Sequence, residues 1–393
     1  MQHSLKIIAF TVVSVFFSIG TKAVNKLDFP IGIYCAGEPT EKNFKYVKSL
    51  GFDYIHRYSL AAKDKKEVQT YMDMAHKCNL KVMLDISTPV RLMKYKRITE
   101  AEALTRMGKM VERWKSHPAL GFWYFYDEPD SNMSPEVLIK FHKMIKQKTP
   151  DTPDSIALNW QEGWDRWTNC ADIIMPDYYP VNKELFPKSM LNLQVEFFSK
   201  VEHRYPYTIP IVQCFGYPKA PNATEMRYIM YSTLMHNPRG LFFWAYWYAR
   251  KEPLTKGADF HPDYLEQTVK PVLSGFKRCI ELIKPVDKVL FPPKLTNELY
   301  SNNQLLVALW KKNDRFIVIM INNWPVERGI SIPLKPYIDD ADLRPLFNTR
   351  NIPGLKIQKG ILKLRLTPWE TLIWEAKKKI TKEKVMKGRI IKN

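Results

Sequence analysis

Cysteine is sparse and unpatterned in this chain. Cys35, Cys78, Cys170, Cys214 and Cys279 are odd in number, widely scattered and free of any CxxC pair, which excludes a zinc framework and a disulfide-stapled scaffold. Histidine never occurs as HxH or HExxH, so His56 and His117 lack metal-ligand spacing and read as structural. No glycine-rich phosphate loop and no GxSxG nucleophile elbow is present, so nucleotide-dependent and serine-hydrolase chemistry fall away. No metal or organic cofactor is implied. No segment reaches the roughly 20 apolar residues that a membrane-spanning helix needs.

What is present begins with an export pattern. Lys6 precedes an apolar stretch from Ile7 to Ile19, and small residues around Thr21 and Ala23 suit cleavage. Residues 1–23 therefore read as a signal peptide, the mature chain begins near Val24, and a secreted or periplasmic location is expected. Cys35 is the first cysteine, so no lipoprotein anchor is expected. Basic residues outnumber acidic ones by 60 to 40, a formal charge of +20 that suits acidic glycans, anionic surfaces or nucleic acid. Part of it is local: in the tail, 377–393, Lys377, Lys378, Lys379, Lys382, Lys384, Lys387, Arg389 and Lys392 face only Glu383, the composition of a solvated end. With export expected and no nucleic-acid motif, nucleic acid is not an expected partner.

Short apolar segments alternate with helical stretches through the first two thirds of the chain, the pattern of βα units. Eight strands are predicted: Ile31–Cys35, Tyr54–Arg57, Lys81–Asp85, Phe122–Tyr126, Ser155–Asn159, Ile173–Pro176, Pro210–Cys214 and Leu241–Ala245. Eight is the number that closes a (β/α)8 barrel, expected here over 24–285. The helices fall at Thr40–Leu50, Lys65–Cys78, Ala101–His117, Ser134–Gln147, Leu191–His203, Asn222–His236 and Pro262–Ile283. The interval between strands five and six is the weak point: Gln161–Ala171 leaves room for little more than two helical turns, and a one-turn or degenerate helix there would not break the barrel. After Pro285, with Pro292 and Pro293 marking the boundary, short β-rich segments follow. They predict a small antiparallel β-sandwich over 286–376. Its Trp310, Trp324, Trp369 and Trp374 read as core.

The most telling stretch is Gly121 to Asp130, where the aromatic run Phe122-Trp123-Tyr124-Phe125-Tyr126 stops at two adjacent carboxylates and a proline. The run predicts a strand buried on both faces, which delivers Asp127 and Glu128 to the C-terminal rim, where barrels keep their chemistry. The other strand ends also collect polar and aromatic residues. Glu38 follows strand one, Arg57 ends strand two and Asp85 strand three. Asn159 and Trp160 end strand five, Asp177, Tyr178 and Tyr179 follow strand six, Gln213 and Phe215 mark strand seven, and Trp244, Tyr246 and Trp247 end strand eight. Carboxylates walled by aromatic rings suit a carbohydrate, because sugar C–H faces pack on rings while hydroxyls need donors and acceptors. Glycosidic cleavage requires a proton for the leaving oxygen and a group to stabilise the oxocarbenium-like centre. Glu128 is the expected general acid, raised by neighbouring charge and the aromatic wall. Arg57 either binds a substrate acid, holds Asp127, or pairs with a barrel carboxylate for stability. Trp164 and Trp167 either form a sugar subsite or pack their short loop.

The chain thereby resembles barrel glycoside hydrolases with a C-terminal β-sandwich, over most of its mature length. Asp127-Glu128-Pro129 is similar to the Asn-Glu-Pro at the end of strand four in the large retaining clan, where the Glu is the acid/base. That clan keeps a nucleophilic Glu after strand seven, where this chain has Gln213. The same Asp-Glu pair resembles that of the substrate-assisted N-acetylhexosaminidases. This likeness implies that Asp127 orients the acetamido group of the substrate and Glu128 donates the proton. Tyr178 or Tyr179 would then bond the acetamido oxygen, and Trp244 and Trp247 would line its pocket. A third arrangement pairs Glu128 with Asp177 or Asp85 across the mouth. Gln213 also favours a rival of another class, a carbohydrate-binding protein on the same barrel without turnover.

Overall fold

A computed structural model of the protein describes residues 27–129, 133–159, 164–181, 207–216, 220–246, 263–283, 289–290, 305–312, 315–335, 337–347 and 349–378. The expected signal peptide 1–23, the helix Leu191–His203, the boundary prolines Pro285, Pro292 and Pro293, the tail from Lys379 on, and Trp160 and Trp247 lie outside the described residues.

All eight expected strands form: β1 (Ile31–Ile33), β2 (Tyr54–Arg57), β3 (Lys81–Asp85), β4 (Leu120–Asp127), β5 (Asp154–Leu158), β6 (Ile173–Tyr178), β7 (Ile211–Gln213) and β8 (Leu241–Trp244). Each pairs in parallel with the next, and β8 returns to β1 to close the barrel. The α-helices among the described residues are α1 (Glu41–Ser49), α2 (Lys65–Lys77), α3 (Thr88–Lys94), α4 (Glu100–Trp114), α5 (Pro135–Lys148), α6 (Ala223–Leu234) and α7 (Lys270–Ile283). Their starts are written in the sequence. Thr40, Asp64 and Thr99 each accept a backbone N–H of the first turn, and Asn222 and Glu225 form a reciprocal capping box. Among the described residues the β5–β6 interval holds one short 3₁₀ turn, Trp164–Trp167.

The barrel interior is filled by side chains, with Tyr34, Met83, Phe122, Tyr124, Ala157, Met175, Ile211 and Phe242 in one buried cluster. Gly32 lets β1 accept the Phe242 ring, because a Cβ there would lie 2.3 Å from it. At the N-terminal ends of β5 and β6, Asp154 meets His142 at 2.8 Å and Asp172 meets Lys146 at 2.7 Å. The Asp172 N–H also donates to Asp154 Oδ1 at 2.8 Å. His142, Asp154 and Asp172 have metal-ligand proximity, but their oxygens already serve Lys146, His142 and backbone N–H groups, so the cluster is an internal brace. His117 is braced too: its Nδ1 accepts from the Ala119 N–H and its Nε2 donates to Asp73.

The remaining strands are antiparallel: β9 (Val289–Leu290), β10 (Leu305–Lys312), β11 (Arg315–Asn322), β12 (Arg328–Pro333), β13 (Ala341–Pro345), β14 (Lys356–Gln358), β15 (Ile361–Leu366) and β16 (Thr371–Lys378). They hydrogen-bond as one continuous sheet in the order β12-β15-β14-β13-β16-β11-β10-β9. Inward residues from both halves, Val318 and Leu309 with Ile332 and Leu362, share one core, so this one sheet supplies both layers of the expected sandwich. Trp310, Trp369 and Trp374 are buried, as core residues should be, while Trp324 is half-buried with Arg328 over its ring. The chain divides into two compact units, and α6 and α7 group with the sheet. Within that unit Tyr228 of α6 hydrogen-bonds Asn323, and Arg227 reaches the Phe347 carbonyl at 2.8 Å.

Candidate active site

Strand β4 is buried along Phe122–Tyr126, and its register against β5 shifts between Tyr124 and Tyr126. Such an irregularity re-aims the residues beyond it. As a result Tyr124, inside the barrel, meets Asp127 at the rim and donates its hydroxyl to Asp127 Oδ1. Glu128 follows with φ +48, a left-handed conformation that bulky residues rarely adopt, and its N–H donates to the Ala157 carbonyl at 3.1 Å. The chain is thereby turned out of the strand, leaving Glu128 exposed and Asp127 half-buried.

That difference in burial separates the two acids. Desolvation pushes Asp127 up to about 7, the Tyr124 hydroxyl opposes this, and Glu128 and Asp85 add repulsion. Asp127 is therefore a carboxyl still partly protonated near neutrality. Around Asp127 stand four tyrosines, Tyr34, Tyr58, Tyr124 and Tyr179. Each hydroxyl is held far above its ordinary range by burial first and by nearby aspartates second, so all four remain neutral donors. Asp127 acts on all four, and Asp177 and Asp85 act on Tyr34 as well, which places the three aspartates around one centre.

The far wall comes from β6 and β8. Asp177 is 5% exposed and accepts from the Tyr179 hydroxyl at 3.4 Å. Tyr179 stacks on Trp244 at 5.6 Å between ring centroids, with the Phe215 edge against both. The Trp244 indole donates to the Tyr58 hydroxyl at 3.1 Å, tying the β8 end to the β2 end across the mouth. Asn159, at the end of β5, keeps a buried Oδ1 without a partner, and Tyr178 is half-buried beside Asp177.

Other predicted residues have structural work instead. Gln213 is 1% exposed and spends its whole amide on backbone: Oε1 accepts from Val181 N–H at 2.7 Å, and Nε2 donates to the Val181 and Phe215 carbonyls at 2.7 and 3.2 Å. It splints the loop after β6, and nothing of it is left for a substrate. Asp85 is fully buried and accepts from Ser59 and Ser87 N–H groups at 2.9 and 2.7 Å. Burial alone would raise it, but the His56 ring and these donors outweigh that and hold it below the ordinary carboxylate range. His56 Nε2 lies 3.7 Å from Asp85, and desolvation of the ring outweighs that attraction and keeps the imidazole neutral. Arg57 points away from the mouth to Glu67 at 3.0 Å and lies over Tyr71, which is its stability reading. Tyr246 donates to Asn43 at 2.6 Å and is only 4% exposed. Glu38 is exposed, and its carbonyl accepts from Asn43. Trp167 packs its loop at 1% exposure.

Sequence reasoning missed α3 and with it Arg91. Ser87-Thr88-Pro89 is a helix-start signal that was available. Arg91 donates to Ser59 and Thr88 hydroxyls, and its charge reaches Asp127.

No protein family and no curated protein matches the chain in sequence. Solved structures match its fold. A protein described as a glycoside hydrolase is similar with a TM-score of 0.62 at 11% identity, over 90% of this chain and 93% of the other. A glycoside hydrolase family 5 protein from Bacteroides vulgatus matches with a TM-score of 0.60 at 11% identity, over 89% of each chain. The alpha-amylase of Geobacillus thermoleovorans, solved with acarbose, gives 0.57 at 12% identity, over 90% of this chain and 99% of the other. These likenesses establish the barrel with its C-terminal sheet domain.

Proposed function

We propose that this protein is an exported glycosidase that hydrolyses O-glycosidic bonds at the C-terminal mouth of its barrel, with Glu128 as proton donor and Asp127 as its partner. One observation carries the reading: a carboxyl held at about 7 lies beside a second, exposed carboxyl, within a wall of neutral tyrosines and a stacked Tyr179–Trp244 pair. Near neutrality Asp127 is still partly protonated in the free protein. A sugar seated against Tyr179 and Trp244 would exclude water from the two carboxyls and set the glycosidic oxygen beside Glu128. Asp177 stands opposite as the group that stabilises the developing positive centre or activates water. The locked amide of Gln213 argues against a protein nucleophile at the end of β7. That supports either the third arrangement or substrate assistance, in which Asp127 steadies an acetamido group.

The test is release of reducing ends from a broad panel of polysaccharides and aryl glycosides by the mature protein, beside Glu128→Gln and Asp127→Asn. Release by the wild type that both variants lose supports hydrolysis by the pair, and activity confined to 2-acetamido sugars selects substrate assistance. The occupied Gln213 also favours a second reading, a carbohydrate-binding barrel without turnover. Binding of a sugar with no release from any substrate would replace the first reading with that one.

A further inference from the structure

We propose that Arg91 is a specificity residue of this mouth, and that its free guanidinium edge takes an oxyanion, a carboxylate or a sulfate ester, carried by the sugar. This rests on the glycosidase reading and narrows its substrate class to acidic glycans.

Arg91 lies on α3, the helix that follows the β3 end, and is half-buried. Its Nη2 donates to two hydroxyls, those of Ser59 and Thr88, and it makes no ion pair among the described residues. Nε and Nη1 form no hydrogen bond there either. A guanidinium tethered through one nitrogen by neutral groups is oriented without being neutralised, and its remaining N–H groups form the planar fork that matches carboxylate and sulfate. The tether is itself anchored. Ser59 sits at φ +55, and its N–H is held by the buried Asp85 carboxylate at 2.9 Å. One turn along α3, Lys94 lies over the Tyr126 ring at 5.9 Å, again with no carboxylate partner among the described residues. Elsewhere on the barrel several cations are paired: Arg57 with Glu67, Lys146 with Asp172, Lys148 with Glu112 and Lys140 with Glu100. Asp127, whose carboxyl feels the Arg91 charge, is pushed up to about 7 by burial, so near neutrality it answers that charge only in part. The overall charge of +20 would draw an acidic polymer toward the surface, but Arg91 is where the mouth could read its acid group.

The experiment measures cleavage and equilibrium binding of polygalacturonate and of its carboxyl-reduced product, and of chondroitin sulfate and its desulfated product. The proteins are the wild type, Arg91→Gln, Arg91→Lys and the control Lys109→Gln on α4. The expected result is a preference of about tenfold or more for one charged polymer over its neutral derivative, the scale of one charge-assisted contact. Arg91→Gln should bring that ratio to near unity, Arg91→Lys should keep part of it, and Lys109→Gln should leave it unchanged. Which pair shows the preference distinguishes carboxylate from sulfate. Equal or better action on the neutral derivatives overturns the proposal and leaves the glycosidase reading standing, as does a preference that survives Arg91→Gln. Charged-polymer binding that Arg91→Gln loses, without any cleavage, upholds the proposal while hydrolysis fails. Neither cleavage nor binding of any of these four polymers overturns the proposal, and release from the broad panel then decides the glycosidase reading separately.

Discussion

The two ends of the barrel both gather aspartates, and they handle them in opposite ways. At the N-terminal end Asp154 and Asp172 face His142 and Lys146, and their oxygens are further bonded by backbone N–H groups. At the C-terminal end Asp127 has only the Tyr124 hydroxyl and makes no ion pair among the described residues. Buried charge that is paired and hydrogen-bonded serves the fold, and buried charge left without a counter-ion is costly until something else compensates it. The difference in compensation, more than the number of acids, separates a brace from a candidate site. The same contrast recurs at the mouth itself, where Asp85, saturated by Ser59 and Ser87, is held low while Asp127 is held high.

The largest expected effect sharpens the contrast from the functional side. Glu128→Gln should lower the rate of glycoside hydrolysis by about 10²- to 10⁴-fold, the contribution of a positioned general acid. Its unfolding midpoint in urea should stay near that of the wild type, because Glu128 is exposed and its backbone N–H, which the substitution keeps, makes the contact to Ala157. Full activity in the variant would remove Glu128 from the chemistry.

The opposite end supplies the mirror test. Lys146→Met removes the cation from Asp172 and leaves two buried acids side by side, which should cost about 3–5 kcal/mol of stability. Turnover per folded molecule should not change. If the variant lost activity at unaltered stability, the division of labour between the two ends would be wrong.

Much of this arrangement was legible in the sequence. The eight strands and most flanking helices carried period and cap signals strong enough to place them, and the aromatic run before Asp127 identified the rim correctly. Three things were hidden, each for a physical reason. Strand β13, Ala341–Pro345, reads as a charged turn ending in proline, and only its pairing with β14 and β16 makes it a strand. Gln213 and Tyr246 sit at strand ends where ligands bind, but whether an amide or a phenol faces a substrate or a loop backbone depends on contacts 32 and 203 residues away in sequence. That Asp127 carries a raised proton affinity was hidden because adjacent acids share composition and differ in burial, which the left-handed turn at Glu128 decides.

Strand seven offers a sharper version of that distinction. Gln213→Glu restores the residue type that the two-glutamate clan would need there, yet a carboxylate cannot donate to the Val181 and Phe215 carbonyls as the amide does. The substitution should cost about 2–3 kcal/mol, the scale of leaving buried acceptors unsatisfied, and should add no activity. A gain in hydrolysis would mean that the loop after β6 can release the side chain and that a protein nucleophile is available after all.

The smallest expected effect tests the premise beneath the others, the raised proton affinity of Asp127. Its carboxyl titrates near 4 when unfolded and at about 7 when folded. Below pH 4 both states are protonated and the shift has no consequence. Between pH 4 and 7 the unfolded chain ionises while the folded one does not, so stability falls as pH rises, and above 7 the loss is constant. Asp127→Asn lacks that loss, so its advantage over the wild type should grow from pH 4 to 7 and level off at about 1–2 kcal/mol, reduced from the full shift by water reaching a half-buried group. His142 also carries a raised affinity, since Asp154 outweighs the burial of its ring, and it too removes stability as pH climbs through its folded value. That contribution is common to both proteins and cancels in the difference between their urea midpoints. Parallel curves would leave Asp127 an ordinary carboxylate, and the proton that the mouth is argued to hold near neutrality would have no residue to hold it.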